Sequence, residues 1–279
     1  MSTDSGIDLQ QHLAQFKQDG YTIFKGVLTS DFMEQAKRKF ADMQREVIIP
    51  GKRDWWFGNM CEYAPKLIFP AVSNPFLLDF AEMIMGPFVQ IDNITLSGFP
   101  SDSKEEAKHR VSGWHRDRYA QVPRSDAYER PLSINMISYF QDMTTEYGPL
   151  RVIPGSHRNR TAFDMSYKFS PHPDEVVASV QAGDVIVTHN GLLHTGTPNT
   201  SGNTRFFFSQ YYNLTWLRHT DNFSGPNISL LIEQARAAND HRTLRLFGID
   251  EHLEQRCNSG FLIEDEVVWR RWMEEERKR

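Results

Sequence analysis

Between residues 88 and 215 the chain is a succession of short β-prone segments closed off by turns, and this pattern restricts the fold more than any other feature. VQIDNITLSGF, SINMISYFQDM, VVASVQAG, DVIVTHN and RFFFSQYYNL are rich in branched and aromatic residues, which suit a pleated, half-buried surface. Gly148-Pro149, Pro154-Gly155 and Gly183-Asp184 fall between them. The regular strand–helix alternation of a doubly wound sheet is missing. Closely spaced strands predict a sandwich or barrel, so the fold class expected is mainly β with flanking helices.

The flanks read as helical. A segment around residues 8–18 ends at Gly20, and YTIFKGV (Tyr21 to Val27) reads as a strand. Asp31 and Glu34 have capping-box spacing, followed by Phe32, Ala36, Phe40 and Met43 at helical intervals up to about residue 46. Residues 50–70 are rich in aromatics, glycine and proline. Asn74-Pro75 predicts a cap and first helical position, with Gly86-Pro87 as the stop. Helix returns near 227–247 and 263–278, where RRWMEEERKR reads as a solvated helix end. A single domain over 1–279 is the simplest arrangement: a β core at about 88–215, helices and a strand over 8–87, and C-terminal helices over 227–278.

A net charge of −5 gives no global field for nucleic acid or acidic membrane. Cys61 and Cys257 are too few for a disulfide scaffold, which favours a reducing compartment. The N-terminal residues lack a secretion signal, and no apolar run approaches ~18 residues, so a cytoplasmic protein without a membrane span is expected. Nothing in the sequence fixes an oligomeric state.

His115-Arg116-Asp117 sets two metal-binding side chains two residues apart. On extended chain both point the same way and can reach one ion. They supply part of the two-histidine, one-carboxylate face that suits iron(II) with open positions. His172-Pro173-Asp174 has the same spacing, so the short motif alone says little. Residues downstream of the first pair distinguish it. After the strand VIV (Val185 to Val187) comes His194, with His189 as a nearer rival, and Arg205 lies eleven residues beyond His194. A hairpin across that interval can return Arg205 to the second histidine, where a guanidinium is a bidentate clamp for a carboxylate.

Together these segments resemble the phytanoyl-CoA dioxygenase-like (PhyH) branch of the iron(II)/2-oxoglutarate oxygenases. The matching pieces are FKQDGYTIFKGVLTSD, Trp114-His115-Arg116-Asp117, Glu146-Tyr147-Gly148-Pro149-Leu150, Ile153-Pro154-Gly155-Ser156-His157, Ala182-Gly183-Asp184, His194-Thr195-Gly196, Asn199, Ser201 and Arg205. The resemblance covers roughly residues 16–212 and implies a cupin-like jelly roll, the double-stranded β-helix. It implies that His115, Asp117 and His194 bind Fe(II), that Arg205 binds the distal carboxylate of 2-oxoglutarate, and that O2 is the second cosubstrate. The activity implied is oxidation of an unactivated C–H bond by hydroxylation, desaturation or ring formation. The intact Asp117 disfavours halogenation, since related halogenases have a small residue there.

Further candidates divide between function and packing. Thr195 and Thr197 can donate to a bound carboxylate or simply satisfy the turn. Asn135 shares a strand face with Ser133, Ile137 and Tyr139, and is either a cosubstrate contact or a structural amide. Trp55, Trp56, Tyr63, Trp114 and Arg116 are substrate-wall candidates, with core or loop packing as the alternative. Arg116, Arg118 and Arg124 form a local basic cluster. The aromatic content points to a partly apolar small molecule, such as a secondary-metabolite intermediate. The competing readings are a cupin-like metalloenzyme that does not use 2-oxoglutarate, and a non-catalytic β-sandwich binding module.

Overall fold

The computed structural model describes residues 7–47, 49, 52, 54–160, 162–260 and 262–278. Its strands are β1 (Tyr21–Phe24), β2 (Trp55–Phe57), β3 (Val89–Phe99), β4 (Ser133–Tyr139), β5 (Arg151–Val152), β6 (Val176–Val177), β7 (Val185–His189), β8 (His194–Thr195) and β9 (Arg205–Leu214). One sheet has the order β1-β7-β4-β9-β3-β2, and a smaller one the order β6-β5-β8. This is the double-stranded β-helix that the strand pattern and the resemblance led us to expect.

Register decides what each face carries. β4 pairs antiparallel with β7, with Asn135 opposite Thr188 and Ile137 opposite Ile186. Because side chains alternate along a strand, Asn135, Ile137 and Tyr139 share a face. Ile137 and Tyr139 pack with Ile186, with Leu150 and with Val152 of β5, so that face looks into the core between the sheets. The strand expected over VVASVQAG shortens to Val176–Val177, which are exposed. Beyond them Ala178 and Val180 turn inward as irregular chain, their backbones bonded to Leu150 and Met143.

Contact density divides the chain into two compact units. The first comprises Asp8–Gly58 and Thr95–Gln210 and contains the residues predicted to bind metal. Its helix Leu9–Asp19 starts on Asp8, which accepts from the amides of Gln10 and Gln11, and stops at Gly20 with φ +83°. The next helix, Ser30–Glu46, begins two residues earlier than a cap at Asp31 predicts. Thr29 caps it, while Asp31 accepts from the Gln35 side chain rather than closing a capping box with Glu34.

The second unit is built chiefly on Asn59–Ile94 and Tyr211–Arg279. Asn74 caps the helix Pro75–Met85 as expected, with Pro75 in its first turn and Gly86 after its end. The helix predicted over 227–247 is two, Pro226–Ala237 and His241–Leu246. Asn239 takes φ +54°, and Asp240 caps the second by accepting from the Thr243 amide, so helical hydrogen bonding is interrupted there. The last helix, Asp265–Glu276, packs inward ahead of the run RRWMEEERKR, whose described residues are exposed or half-buried. Val268 and Trp269 are buried, and Glu276 pairs with Arg245 and Arg256. Among the described residues no single helix is long and apolar enough to cross a membrane; Pro65–Val72 and Pro75–Met85 reach that length and composition only as a pair bent by 49°.

Candidate metal centre

His115 lies just outside the named strands but makes a two-hydrogen-bond bridge to His194 at the start of β8. The amide of each donates to the carbonyl of the other at 3.0 Å. Asp117 follows two residues on, its amide held by Asn190 O at 2.8 Å. The ligand atoms of His115, Asp117 and His194 all lie within 4.8 Å of one another. Asp117 Oδ1 is 3.6 Å from His194 Nε2 and 3.9 Å from His115 Nε2.

Local hydrogen bonds prepare these atoms for a cation. His115 Nδ1 stands 2.9 Å from Gly113 O, and His194 Nδ1 3.0 Å from Leu192 O. A carbonyl only accepts, so each ring carries its proton on Nδ1 and presents an Nε2 lone pair to the cluster. Desolvation, followed by the nearby His194 ring, pushes the His115 pKa down and favours the neutral form a metal requires. Asp117 Oδ2 is buried with no hydrogen-bond partner, which is costly for a carboxylate unless a cation completes it. The His194 side chain is 6% exposed and that of His115 49%, so the cluster is accessible from the His115 side. The donor set therefore fits a divalent metal.

The rivals to this triad are occupied elsewhere. His189 Nε2 faces Glu129 O, and its Nδ1 accepts from the Gly191 amide. His172 packs against the rings of Trp114, Phe163 and Tyr167, and its Nδ1 accepts from the Asp174 amide.

Arg205 opens β9 and is 8% exposed. Its Nη1 donates to Gly148 O at 2.5 Å, Thr197 O at 2.7 Å and Tyr147 O at 3.1 Å. Its Nε is buried without a partner. Gly148 permits this arrangement. It has φ +73°, and a Cβ there would lie 2.4 Å from two carbonyl oxygens and 2.8 Å from Arg205 Nη1. Alternation along β9 puts Phe207 and Ser209 on the face of Arg205. Ser209 Oγ donates to Asn135 Oδ1 at 2.7 Å, and Phe207 packs on Tyr139. Neither Phe207 nor Ser209 stands out in the sequence, although counting in twos from Arg205 leads to both.

Several sequence candidates have other partners. The Thr195 hydroxyl accepts from the Gly113 amide and donates to Gly196 O, and that of Thr197 accepts from Arg151 and donates to Pro149 O. Each hydroxyl thus meets a carbonyl acceptor within its own turn region. Trp114 is 1% exposed among Val111 and Leu193, and its indole donates to Ser170 O. It is a core residue and not a substrate wall. Arg116 is likewise engaged within the protein, its Nη1 donating to the carbonyls of Ser156 and Gly191. On β2, Trp55 is buried and Trp56 exposed, the latter meeting the rings of Phe99 and Phe207. Tyr63 is an exposed residue of the second unit.

A double-stranded β-helix carrying a two-histidine, one-carboxylate cluster with an accessible side defines a non-haem iron(II) oxygenase. Residues 86–207 match the family model described as phytanoyl-CoA dioxygenase (PhyH). Among characterised relatives, it is 25% identical to an L-proline trans-4-hydroxylase from Streptomyces griseoviridis over 231 residues, covering 71% of this chain and 84% of the relative. It is 24% identical to the iron/alpha-ketoglutarate-dependent dioxygenase AusU from Aspergillus calidoustus, over 70% and 67% of the two chains. Similar solved structures include HygX from Streptomyces hygroscopicus with nickel and 2-oxoglutarate bound, with TM-score 0.63 and 14% identity over 75% of this chain and 88% of that one. EctD from S. alaskensis with bound Fe has TM-score 0.58 and 21% identity over 80% and 82%.

Proposed function

We propose that this chain is an iron(II)- and 2-oxoglutarate-dependent dioxygenase that oxidises an unactivated C–H bond of a small molecule, with a secondary-metabolite intermediate as the substrate class. The observation that carries this reading is the presence, in one unit of the fold, of two buried, unpartnered polar atoms of opposite charge type, Asp117 Oδ2 and Arg205 Nε. The first calls for a cation and the second for an anion. Iron(II) with 2-oxoglutarate satisfies both, and when bound supplies the oxidising chemistry with O2.

The residues of the chain then divide the work. His115, Asp117 and His194 hold the metal on one face and leave the opposite face for cosubstrates. Arg205 anchors the distal carboxylate, and Asn135, oriented by Ser209, supplies a polar contact on the same core face. Phe207 and Tyr139 add an apolar lining that excludes water beside the guanidinium. Trp56, packed on Phe207 and Phe99 but still exposed, is the outer wall for substrate. The similarity to an L-proline hydroxylase supports small organic substrates as a class. Two free cysteines, one buried and one exposed, fit the cytoplasm as its site of action.

The test is an anaerobic titration of the metal-free protein with iron(II) and then 2-oxoglutarate. Wild type should develop a weak visible charge-transfer absorption, and His115→Ala should not. Iron and cosubstrate binding that survives His115→Ala would sink the assignment. A metabolite screen read by succinate release then identifies the substrate.

A further inference from the structure

Arg116 stands between two metal ligands in sequence, yet its side chain points to neither. Alternation turns it to the opposite side of the segment from His115 and Asp117. There Nη1 donates to Ser156 O at 2.8 Å and also to Gly191 O. Both acceptors belong to the surroundings of the third ligand. Gly191 lies in the turn 190–193 that leads into His194. Ser156 reaches the same turn a second time, its Oγ accepting from the Leu193 amide at 2.8 Å in a buried contact. The Leu193 carbonyl accepts from the Ile153 amide at 2.9 Å, and the Leu192 carbonyl is the one that fixes the His194 tautomer. At the near end of the turn, Asn190 O holds the Asp117 amide and Asn190 Nδ2 donates to Arg118 O at 2.9 Å.

We infer that Arg116 and Ser156 are positioning residues of the metal centre. One guanidinium and one hydroxyl tie the segment bearing His115 and Asp117, the Pro154-Gly155-Ser156-His157 turn and the turn presenting His194 into a single frame. This inference rests on the proposed role of the triad as a metal site. It gives Ser156 a role that neither the motif nor the triad requires. It also fits an arginine: the two N–H bonds of one planar terminal nitrogen, Nη1, serve two carbonyls on separate turns in a geometry the guanidinium holds rigid.

The test uses full-length metal-free protein titrated with Co(II), read by affinity and by the visible ligand-field bands, beside urea denaturation of each variant. Arg116→Gln should weaken Co(II) binding by roughly 10–100-fold, the range typical when groups that orient metal ligands are lost, and should alter the bands. Arg116→Lys should recover part of the affinity. Ser156→Ala, which removes only the link to Leu193, should shift both readouts in the same direction, and it keeps the test decisive if Arg116→Gln does not fold. Phe40→Leu, a buried control in the same unit, should lose stability while keeping wild-type affinity and bands. Wild-type Co(II) affinity and spectrum in both Arg116→Gln and Ser156→Ala would overturn the inference, as would an equal loss of affinity in Phe40→Leu. Failure of wild type to bind Co(II) is a different result: it removes the metal site itself, and the positioning role with it.

Discussion

At Arg205 one terminal nitrogen meets three carbonyls while Nε, equally buried, meets none. Burial pushes the guanidinium pKa down, yet an arginine stays charged in a protein, so this is a fixed cation awaiting an anion. Arg205→Gln should therefore raise the Kd for 2-oxoglutarate about 100-fold, near the lower end of what removing one partner of a buried charge pair costs. Iron(II) affinity without cosubstrate should remain as in wild type. Calorimetric titration of both ligands checks this, and a metalloenzyme that does not use 2-oxoglutarate would show no change in either. Trp114 gives the opposite lesson for single residues. Adjacent to His115 in sequence, it reads as either a substrate wall or a core residue, and its indole is directed into a small apolar cluster. Proximity along the chain cannot show which side of the segment it takes.

The elements are legible in proportion to their length. RFFFSQYYNL forms β9 with the same bounds, since ten residues carry a clear pattern and turns bracket it. β5 and β8 contain two residues each, too few for any period, although β8 begins with a metal ligand. The capping box assigned to Asp31 belongs instead to Ser103 and Glu106, in a helix of one turn that no hydrophobic repeat announces. The triad is readable because a pair two residues apart is followed, in a shared motif order, by His194 and Arg205. The turn contacts of Ser156 and Arg116 are not, because they join carbonyls far apart in sequence. Helices of the second unit are also joined by charges invisible to periodicity. Glu82 of Pro75–Met85 accepts from Arg242 and Arg245, and Arg245 also reaches Glu276 of the last helix. Glu82→Gln leaves buried guanidinium charge undercompensated and should cost about 3 kcal/mol, measurable by urea denaturation of this unit.

For the whole molecule, pH should act on the two units with opposite sign. In the first, burial lowers the pKa of His157 to about 4 and of His189 to about 3. Unfolded, these rings take protons near pH 6.5, so their contribution is present above that value and lost as pH falls toward the folded pKa. At pH 5 each costs about 2 kcal/mol relative to pH 7. In the second unit Asp221 accepts from the amides of Asn59 and Ile94, but burial dominates, with Asp92 adding to it, and raises its pKa to about 6. The folded form holds that proton more tightly than the unfolded chain does. Its contribution of about 3 kcal/mol is full below about pH 4 and lost as pH rises through 6. Hydrogen exchange followed by peptide from pH 4.5 to 7 should show protection rising with pH around β7 and falling around Asn59 and Ile94. Parallel trends in both would contradict these shifts.

Gly148 carries a consequence for descent as well as for structure. The space beside Arg205 is smaller than a methyl group, and its carbonyl faces the guanidinium only because the backbone there adopts a conformation costly for other residues. No point mutation can enlarge that side chain without displacing the anchor. A lineage drifting toward a different co-reactant would have to rebuild the turn before it could change the arginine. Exposed positions such as Trp56, where no such constraint applies, can vary in single steps. Diversification of substrate with conservation of the oxidant is the evolutionary course this geometry leaves easiest.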